Sequence, residues 1–526
     1  MPGRWSYWAA CHVESTVSIL SVDAEIMLDP AGDGATSTGG DLAQQARSGI
    51  LWVTGLNVFR EALQFGTMLV LVRLLEPKVY GEFSFVSAVM LLFTVLSFRS
   101  FFEHTLQLRP HEAVDYQSHF TAAGFMQGAM FVLVNITAAV LNFIPKYAEI
   151  APVLHVMSLF FFFDWAGEFR VKMLQREMNW ARLRTLEAIG LLSGSCFALM
   201  LALLGYGVYA LVLPPIAYTL PFICDLFVSR KWRPDWSWNA NHYRTAWNFG
   251  LARIASGLLT TGRPLIEGVV VVHLADFSSL GILGRATGLA AVCCQRMPLT
   301  LVTAVYPVLT RISRRTELYS RANALILRMI SWIVIPAAVL FSLVAGPLVR
   351  LLYGPKWDEA IPLLPWALAG GVVAALYQTT TILLLADIRQ NRCVVAELLS
   401  LVSAVACLTL LLRRGFAAYL SGMAVTQMLT LVWMASPLIT GGVLASGTLL
   451  RELGTPAVVA GASALLCRAV FTHAAVAGDG SRAWMLIPLL FGTFYLAGLR
   501  FLSQDALSEV VDHMPAAVQI RRLLML

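Results

Sequence analysis

Three stretches of this chain place charged and polar residues at helical spacing inside otherwise apolar runs. Asn57, Arg60, Glu61 and Gln64 share one side of a predicted helix over 48–72. Arg253, Ser256, Thr260, Arg263 and Glu267 follow one another at steps of 3, 4, 3 and 4 along a predicted helix over 246–273, which makes a single polar stripe. Arg285, Arg296 and Thr303 recur near one face of a third predicted helix over 280–309. A charge at the centre of a bilayer helix costs about 2.5–3.5 kcal/mol on insertion scales, so each needs water, a partner or a bound ion. One reading is a water-filled cleft lined by these helices. Its four arginines on the second and third helices, against the one glutamate Glu267, suit an anionic ligand. The other reading is internal ion pairs, such as Arg263 with Glu267, that only join helices.

Further charges invite narrower roles. Asp164 and Glu168 stand four residues apart and could bind a coupling proton or sodium ion. Arg170 and Lys172 beside them fit an interfacial salt-bridge cluster equally well. Arg99 and Glu103 form another i,i+4 pair at a helix end, where a structural pair is expected. Trp232, Trp236 and Trp238 lie beside Arg230, Lys231 and Arg233 as an interfacial belt and headgroup anchor would. The eight cysteines show no metal-ligand spacing, and no metal or cofactor is expected.

The elements that must position these residues are membrane helices. Of 526 residues, 58% are apolar and 13% charged, and the mean hydropathy is +0.71. A soluble domain carries about 25% charged residues. The apolar residues arrive in blocks of bilayer length. Fourteen helices are predicted, over 48–72, 81–103, 119–143, 151–169, 186–204, 208–228, 246–273, 280–309, 323–344, 361–386, 393–412, 416–440, 455–473 and 483–502. With the N-terminus inside, inner segments hold 21 Lys and Arg against 8 in outer loops, so both termini are expected in the cytoplasm. The net charge of +7 follows this scatter through short loops, not a nucleic-acid face. Residues 1–46 read as a disordered cytoplasmic tail, within which Met27 offers a plausible shorter start, and 503–526 as a second tail.

A shift of 200 residues aligns Val70, Val72, Leu74 and Gly81 with Val270, Val272, Leu274 and Gly281. Each set is a helix, a short outer loop and a glycine opening the next helix. The expected fold is therefore all-α and polytopic, with two pseudo-symmetric six-helix lobes around a central cleft. The lobes are 47–228 and 246–440, joined by a cytoplasmic linker over 229–245. Two extra helices follow within 441–502.

The run Arg73-Leu74-Leu75-Glu76-Pro77-Lys78-Val79-Tyr80-Gly81-Glu82-Phe83 resembles the first hairpin of bacterial polysaccharide exporters. These are lipid-linked oligosaccharide flippases of the multidrug/oligosaccharidyl-lipid/polysaccharide exporter superfamily. Leu174-Gln175-Arg176-Glu177-Met178-Asn179-Trp180, Gly205-Tyr206-Gly207-Val208-Tyr209, Leu280-Gly281-Ile282-Leu283-Gly284-Arg285 and Tyr306-Pro307-Val308-Leu309 resemble the same family in order. The resemblance implies a bacterial inner-membrane transporter, not an enzyme, that moves an undecaprenyl-diphosphate-linked sugar repeat outward by alternating access. It implies a lipid-linked oligosaccharide substrate in contact with membrane lipids, polysaccharide polymerase and chain-length proteins as partners, and no nucleic acid. Arg60, Arg253, Arg263, Arg285 and Arg296 are then the expected diphosphate-binding groups, with Asn57, Glu61, Gln64, Ser256, Thr260 and Glu267 as polar cleft lining. A peptidoglycan-precursor flippase and a cation-coupled drug antiporter of the superfamily remain alternatives. A polytopic glycosyltransferase or polymerase fits less well, because the longest outer loop, about 345–360, holds no Asp-x-Asp motif.

Overall fold

The computed structural model describes residues 59–97, 116–228, 261–312, 316–386, 390–440, 446–476 and 486–512, with Trp232, Asp235, Ile254, Gly257 and Leu258. Among the described residues there is helix and turn but no strand. Eleven of these helices are long and apolar enough to cross a membrane. They coincide with eleven of the fourteen expected spans. The expected first and seventh fall partly outside the described residues, and the last has an apolar stretch of Ile487–Leu502.

The chain divides into two compact units, one within Ala31–Gly281 and the other within Ile282–Leu526. The first contains α1 (59–74), α2 (Pro77–Leu96), α3 (Tyr116–Asn142), α4 (Ala151–Ser158), α5 (Phe160–Arg176), α6 (Trp180–Leu203), α7 (Tyr209–Val212), α8 (Pro214–Val228) and α9 (261–274). Pro77 opens α2 in the first turn, where its missing N–H leaves no helix bond unmade. α5 and α6 both pack on α8. The α6–α8 approach is close at Gly190, where a Cβ would stand 2.6 Å from the Tyr218 carbonyl oxygen. Phe120, Phe169, Met173 and Leu226 form a buried cluster covered by Trp165 and Trp232. Trp232 lays its ring 4.7 Å from that of Phe169.

α10 (Phe277–Cys294) leads into the second unit. There follow α11 (Arg296–Ile312), α12 (Thr316–Leu343), α13 (Ala345–Leu352), α14 (Leu364–Ala386), α15 (Gln390–Leu411), α16 (Phe416–Thr440), α17 (Ser446–Val476) and α18 (Ile487–Asp512). The single helix expected over 280–309 is two, broken at Gln295. Pro298 has no N–H to give the Cys294 carbonyl, so the α-helical ladder loses a rung there. The expected outer loop 345–360 is also ordered as α13 and a 3-10 turn over Pro355–Ala360, with Trp357 and Tyr353 buried. α17 and α18 dock on α12 through Trp332, Val459, Cys467, Phe491 and Tyr495. The Tyr495 hydroxyl donates to the Trp332 carbonyl at 3.0 Å.

Candidate functional site: a polar cluster within the first unit

Arg60 lies on α1 and is 21% exposed. Its Nη2 stands 3.4 Å from the carboxylate of the adjacent Glu61, itself 46% exposed. This is a long, wet pair, of the kind worth under about 1 kcal/mol. Tyr218 on α8 lies within Coulombic reach of Arg60, and also of Glu168, Arg184 and Glu187. Tyr218 thus feels charges carried by α1, α5 and α6.

Glu168 and Lys172 pair along α5 at 3.5 Å. Arg184 donates from Nη1 to Glu187 Oε2 at 2.7 Å, and both side chains are buried. Asp164, one turn before Glu168, is buried as well. Arg170 does not join the Asp164 and Glu168 side of α5. Its Nε donates to Asp225 Oδ2 at 2.7 Å, while Arg182 donates to Oδ1 from Nε at 2.8 Å and Nη2 at 2.5 Å. Asp225 therefore serves two guanidinium groups and ties α5 and α6 to α8. Spacing had suggested Arg60 and the Asp164–Glu168 pair as separate features, and the fold brings Arg60 and Glu168 to the same tyrosine. Arg184, Glu187, Tyr218 and Asp225 escaped the sequence reading. Arg184 and Glu187 at i,i+3 were legible as a pair, but nothing in the spacing tied them to Arg60.

The remaining expected residues are distributed as follows. Gln64 is half-buried on α1, and Arg263 and Glu267 are half-buried on α9, one turn apart. Asn57, Arg253, Ser256 and Thr260 lie outside the described residues, as do Arg99, Glu103, Trp236 and Trp238. In the second unit Arg285 is half-buried on α10 and lies within Coulombic reach of Tyr353. Burial pushes the Tyr353 hydroxyl up to about 12. Arg296 is exposed and opens α11, just past the turn at Gln295. Among the described residues no group of three His, Cys, Asp or Glu could hold a metal ion.

A third kind of ion pair sits in the second unit. Arg328 of α12 forks onto Glu452 of α17 through two hydrogen bonds of 2.7 Å, and Glu452 is 3% exposed. Ser331 Oγ adds a bond of 2.8 Å to the Glu452 carbonyl. The sequence reading missed this pair because its members are 124 residues apart.

Comparison with known proteins gives a consistent result. Succinoglycan biosynthesis transport protein ExoT of Rhizobium meliloti (strain 1021) is 24% identical over 317 residues, covering 57% of this chain and 61% of that protein. Lipopolysaccharide biosynthesis protein WzxC of Escherichia coli (strain K12) is 23% identical over 270 residues, covering 50% of this chain and 53% of WzxC. The chain thus matches somewhat over half the length of these relatives. A solved structure of the lipid II flippase MurJ in an inward closed conformation shares the fold with a TM-score of 0.67 at 12% identity, over 87% of this chain and all of that one. The profile of the polysaccharide biosynthesis protein family matches residues 70–362, more than half of the chain, and the chain belongs to that family.

Proposed function

We propose that this protein is a flippase that carries lipid-linked oligosaccharide repeat units across the bacterial cytoplasmic membrane by alternating access, with both termini cytoplasmic. The diphosphate linking lipid to sugar is the group to be recognised, and the proposed ligands are Arg60, Arg253, Arg263, Arg285 and Arg296, with Asn57, Glu61, Gln64, Ser256, Thr260 and Glu267 as polar lining. The observation that carries this reading is the state of Arg60. Its pair with the neighbouring Glu61 is long and half-solvated. A guanidinium held so loosely can exchange a carboxylate for a phosphate at small cost, and its fork gives bidentate, charge-assisted hydrogen bonds. The transport names of ExoT and MurJ support movement of substrate without a covalent step.

Arg60→Ala and Arg263→Ala should insert and fold normally but lose export of the polysaccharide. Arg60→Lys should recover only part of it, since an ammonium keeps the charge and loses the fork. Near-normal export by both alanine variants at native expression would reject the binding role. A second reading assigns a coupling cation to Asp164 and Glu168, two carboxylates one turn apart on α5. Loss of ion dependence in Glu168→Gln or Asp164→Asn, with substrate binding retained, would assign coupling to that site.

A further inference from the structure

A chain of hydrogen bonds runs along the exposed side of α3 and α4. Asn135 Nδ2 donates to the Phe131 carbonyl at 2.7 Å and to Ser158 Oγ at 3.0 Å. Ser158 Oγ in turn donates to the His155 carbonyl at 2.7 Å. The Asn135 amide is thereby fixed in orientation, since a carbonyl accepts only from its NH2 end. Asn135 Oδ1 then faces His155 Nδ1 at 2.6 Å, and an oxygen that only accepts requires the ring hydrogen to be on Nδ1. In the neutral ring Nε2 is left as a bare acceptor. His155 is exposed, and among the described residues nothing bonds to that nitrogen.

The surroundings of that acceptor are those of a lipid-facing helix surface. Val132, Leu133, Ile136 and Val140 of α3 are exposed, as is Leu159 just past α4. α3 has 27 residues and is about 40 Å long, against an apolar layer of about 30 Å. Asn135 stands about 10 Å along the axis from the helix end at Asn142, which puts it about 5 Å inside that layer when the helix is centred. A polar group at that depth calls for a partner. Lipids hold their hydrogen-bond donors in the headgroups, outside the layer, so the donor has to come from protein. Gly128, Val132, Asn135 and Ala139 follow at steps of 4, 3 and 4 along one side of α3, and a Cβ on Gly128 would meet nothing within 4 Å. Small residues on either side of a polar one let a second helix approach closely. A second copy of this chain does not supply the donor. In a two-fold pair across a membrane equal depths meet, and here Asn135 and Ser158 have spent their hydrogens within the chain. Thr137 has done the same, donating to the Leu133 carbonyl at 2.9 Å.

We propose that the face of α3 and α4 around Asn135 and His155 docks a transmembrane helix of a different protein, which donates a hydrogen bond from a Ser, Thr, Tyr or Trp side chain to His155 Nε2. Asn135 and Ser158 are positioning residues that hold the ring in the accepting tautomer. The contact lies within the first unit and needs no substrate, so it stands apart from the arginines proposed for transport.

The test puts the photo-crosslinker p-benzoylphenylalanine in place of Val132, one turn from Asn135, in the full-length chain in the membranes of its own cells, and maps each adduct by peptide mass spectrometry. The expected adduct is a transmembrane segment of another protein with a hydroxyl or indole within one turn of the crosslinked residue. His155→Leu should lower its yield at least about five-fold, the worth of one hydrogen bond between membrane helices. Replacing the mapped donor by an apolar residue should lower it as much, with no further loss when both changes are combined. His155→Gln, which keeps an acceptor, should retain most of the yield. Adducts from the same crosslinker in place of Leu410, exposed on α15 in the other unit, should not respond to His155→Leu. No adduct, or adducts only to phospholipid, to a second copy of this chain or to helices without a donor at that depth, would overturn the proposal, as would a yield unmoved by His155→Leu. If His155→Leu does not fold, the change at the partner's donor, made against native His155, decides in its place: an unmoved yield overturns the proposal and a five-fold loss supports it.

Discussion

Asp225 offers the sharpest test of how the first unit is held together. Its carboxylate is 9% exposed and accepts three hydrogen bonds of 2.5–2.8 Å from Arg170 and Arg182, and Arg170 is 1% exposed. Replacing Asp225 by Ala leaves Arg170 charged, buried and without the bond its Nε now makes. Removing one partner of a buried pair costs about 3–5 kcal/mol, mostly the penalty on the charge left behind. Asp225→Asn keeps an acceptor but loses the charge assistance, which roughly halves each bond, and should cost about half as much. Arg182 is 39% exposed, so water replaces much of what it loses, and Arg182→Ala should cost about 1 kcal/mol. The assay is unfolding in mixed micelles across a cycle of Asp225→Leu, Arg170→Met and the double variant. The double variant should recover most of the stability lost by the single change at Asp225, because an apolar pair has no orphaned charge. A loss under about 1 kcal/mol for Asp225→Ala, or a coupling energy near zero, would refute the argument.

Four other outcomes are expected. Glu452→Ala should loosen α17 from α12 by about 3–5 kcal/mol, read as a lower melting temperature in detergent, with Arg328→Met and Glu452→Leu together restoring it. Met178, at φ 54° just past the end of α5, should accept glycine with a gain of about 0.5–1 kcal/mol in the same assay. Asp276 caps α10 by accepting the Ser279 N–H at 2.7 Å, and that bond holds its carboxyl below the usual value. The cap therefore stabilises above the unfolded-state pKa, near 4, and is lost as pH falls through the lowered one. Asp276→Ala should cost about 1 kcal/mol at neutral pH, and the deficit should shrink on acidification below about pH 4. Cysteines at Arg176 and Arg314 should stay unlabelled by an impermeant reagent applied outside intact cells; strong labelling at either would reverse the orientation.

Helix positions were legible because bilayer length and apolar runs coincide, and eleven expected spans lie where the structure has them. The break at Gln295 was not, since Pro298 falls four residues past Cys294 inside an apolar stretch that reads as continuous. Charges along one helix were legible as stripes. Their partners were not: Arg170 chooses Asp225, 55 residues away, over Glu168 two residues away, because the i,i+2 direction points to the far side of a helix. The same geometry explains why Glu168 pairs instead with Lys172 at i,i+4.

Several of the stretches that resemble polysaccharide exporters contain backbone devices. Leu174 through Trp180 is the stop of α5 and the start of α6. The Asn179 N–H reaches back to the Leu174 carbonyl at 3.0 Å, the Met178 N–H to that of Gln175 at 3.1 Å, and the Asn179 side chain then accepts the Arg182 N–H. Gly205-Tyr206-Gly207 is a turn whose two glycines both take positive φ. Gly81 and Gly281 are one crossing. Such positions tolerate few residue types whatever the cargo, so a diffuse resemblance carries the fold and leaves the substrate open. The charges divide by a different measure. The Asp225 carboxylate with Arg170 and Arg182, and Arg328 with Glu452, are held by two or more short bonds, which is the state of a joint. Arg60 with Glu61 is long and half-solvated, which is the state of a guanidinium that can trade partners. The transport proposed above needs both kinds, since the first must hold while the second lets go.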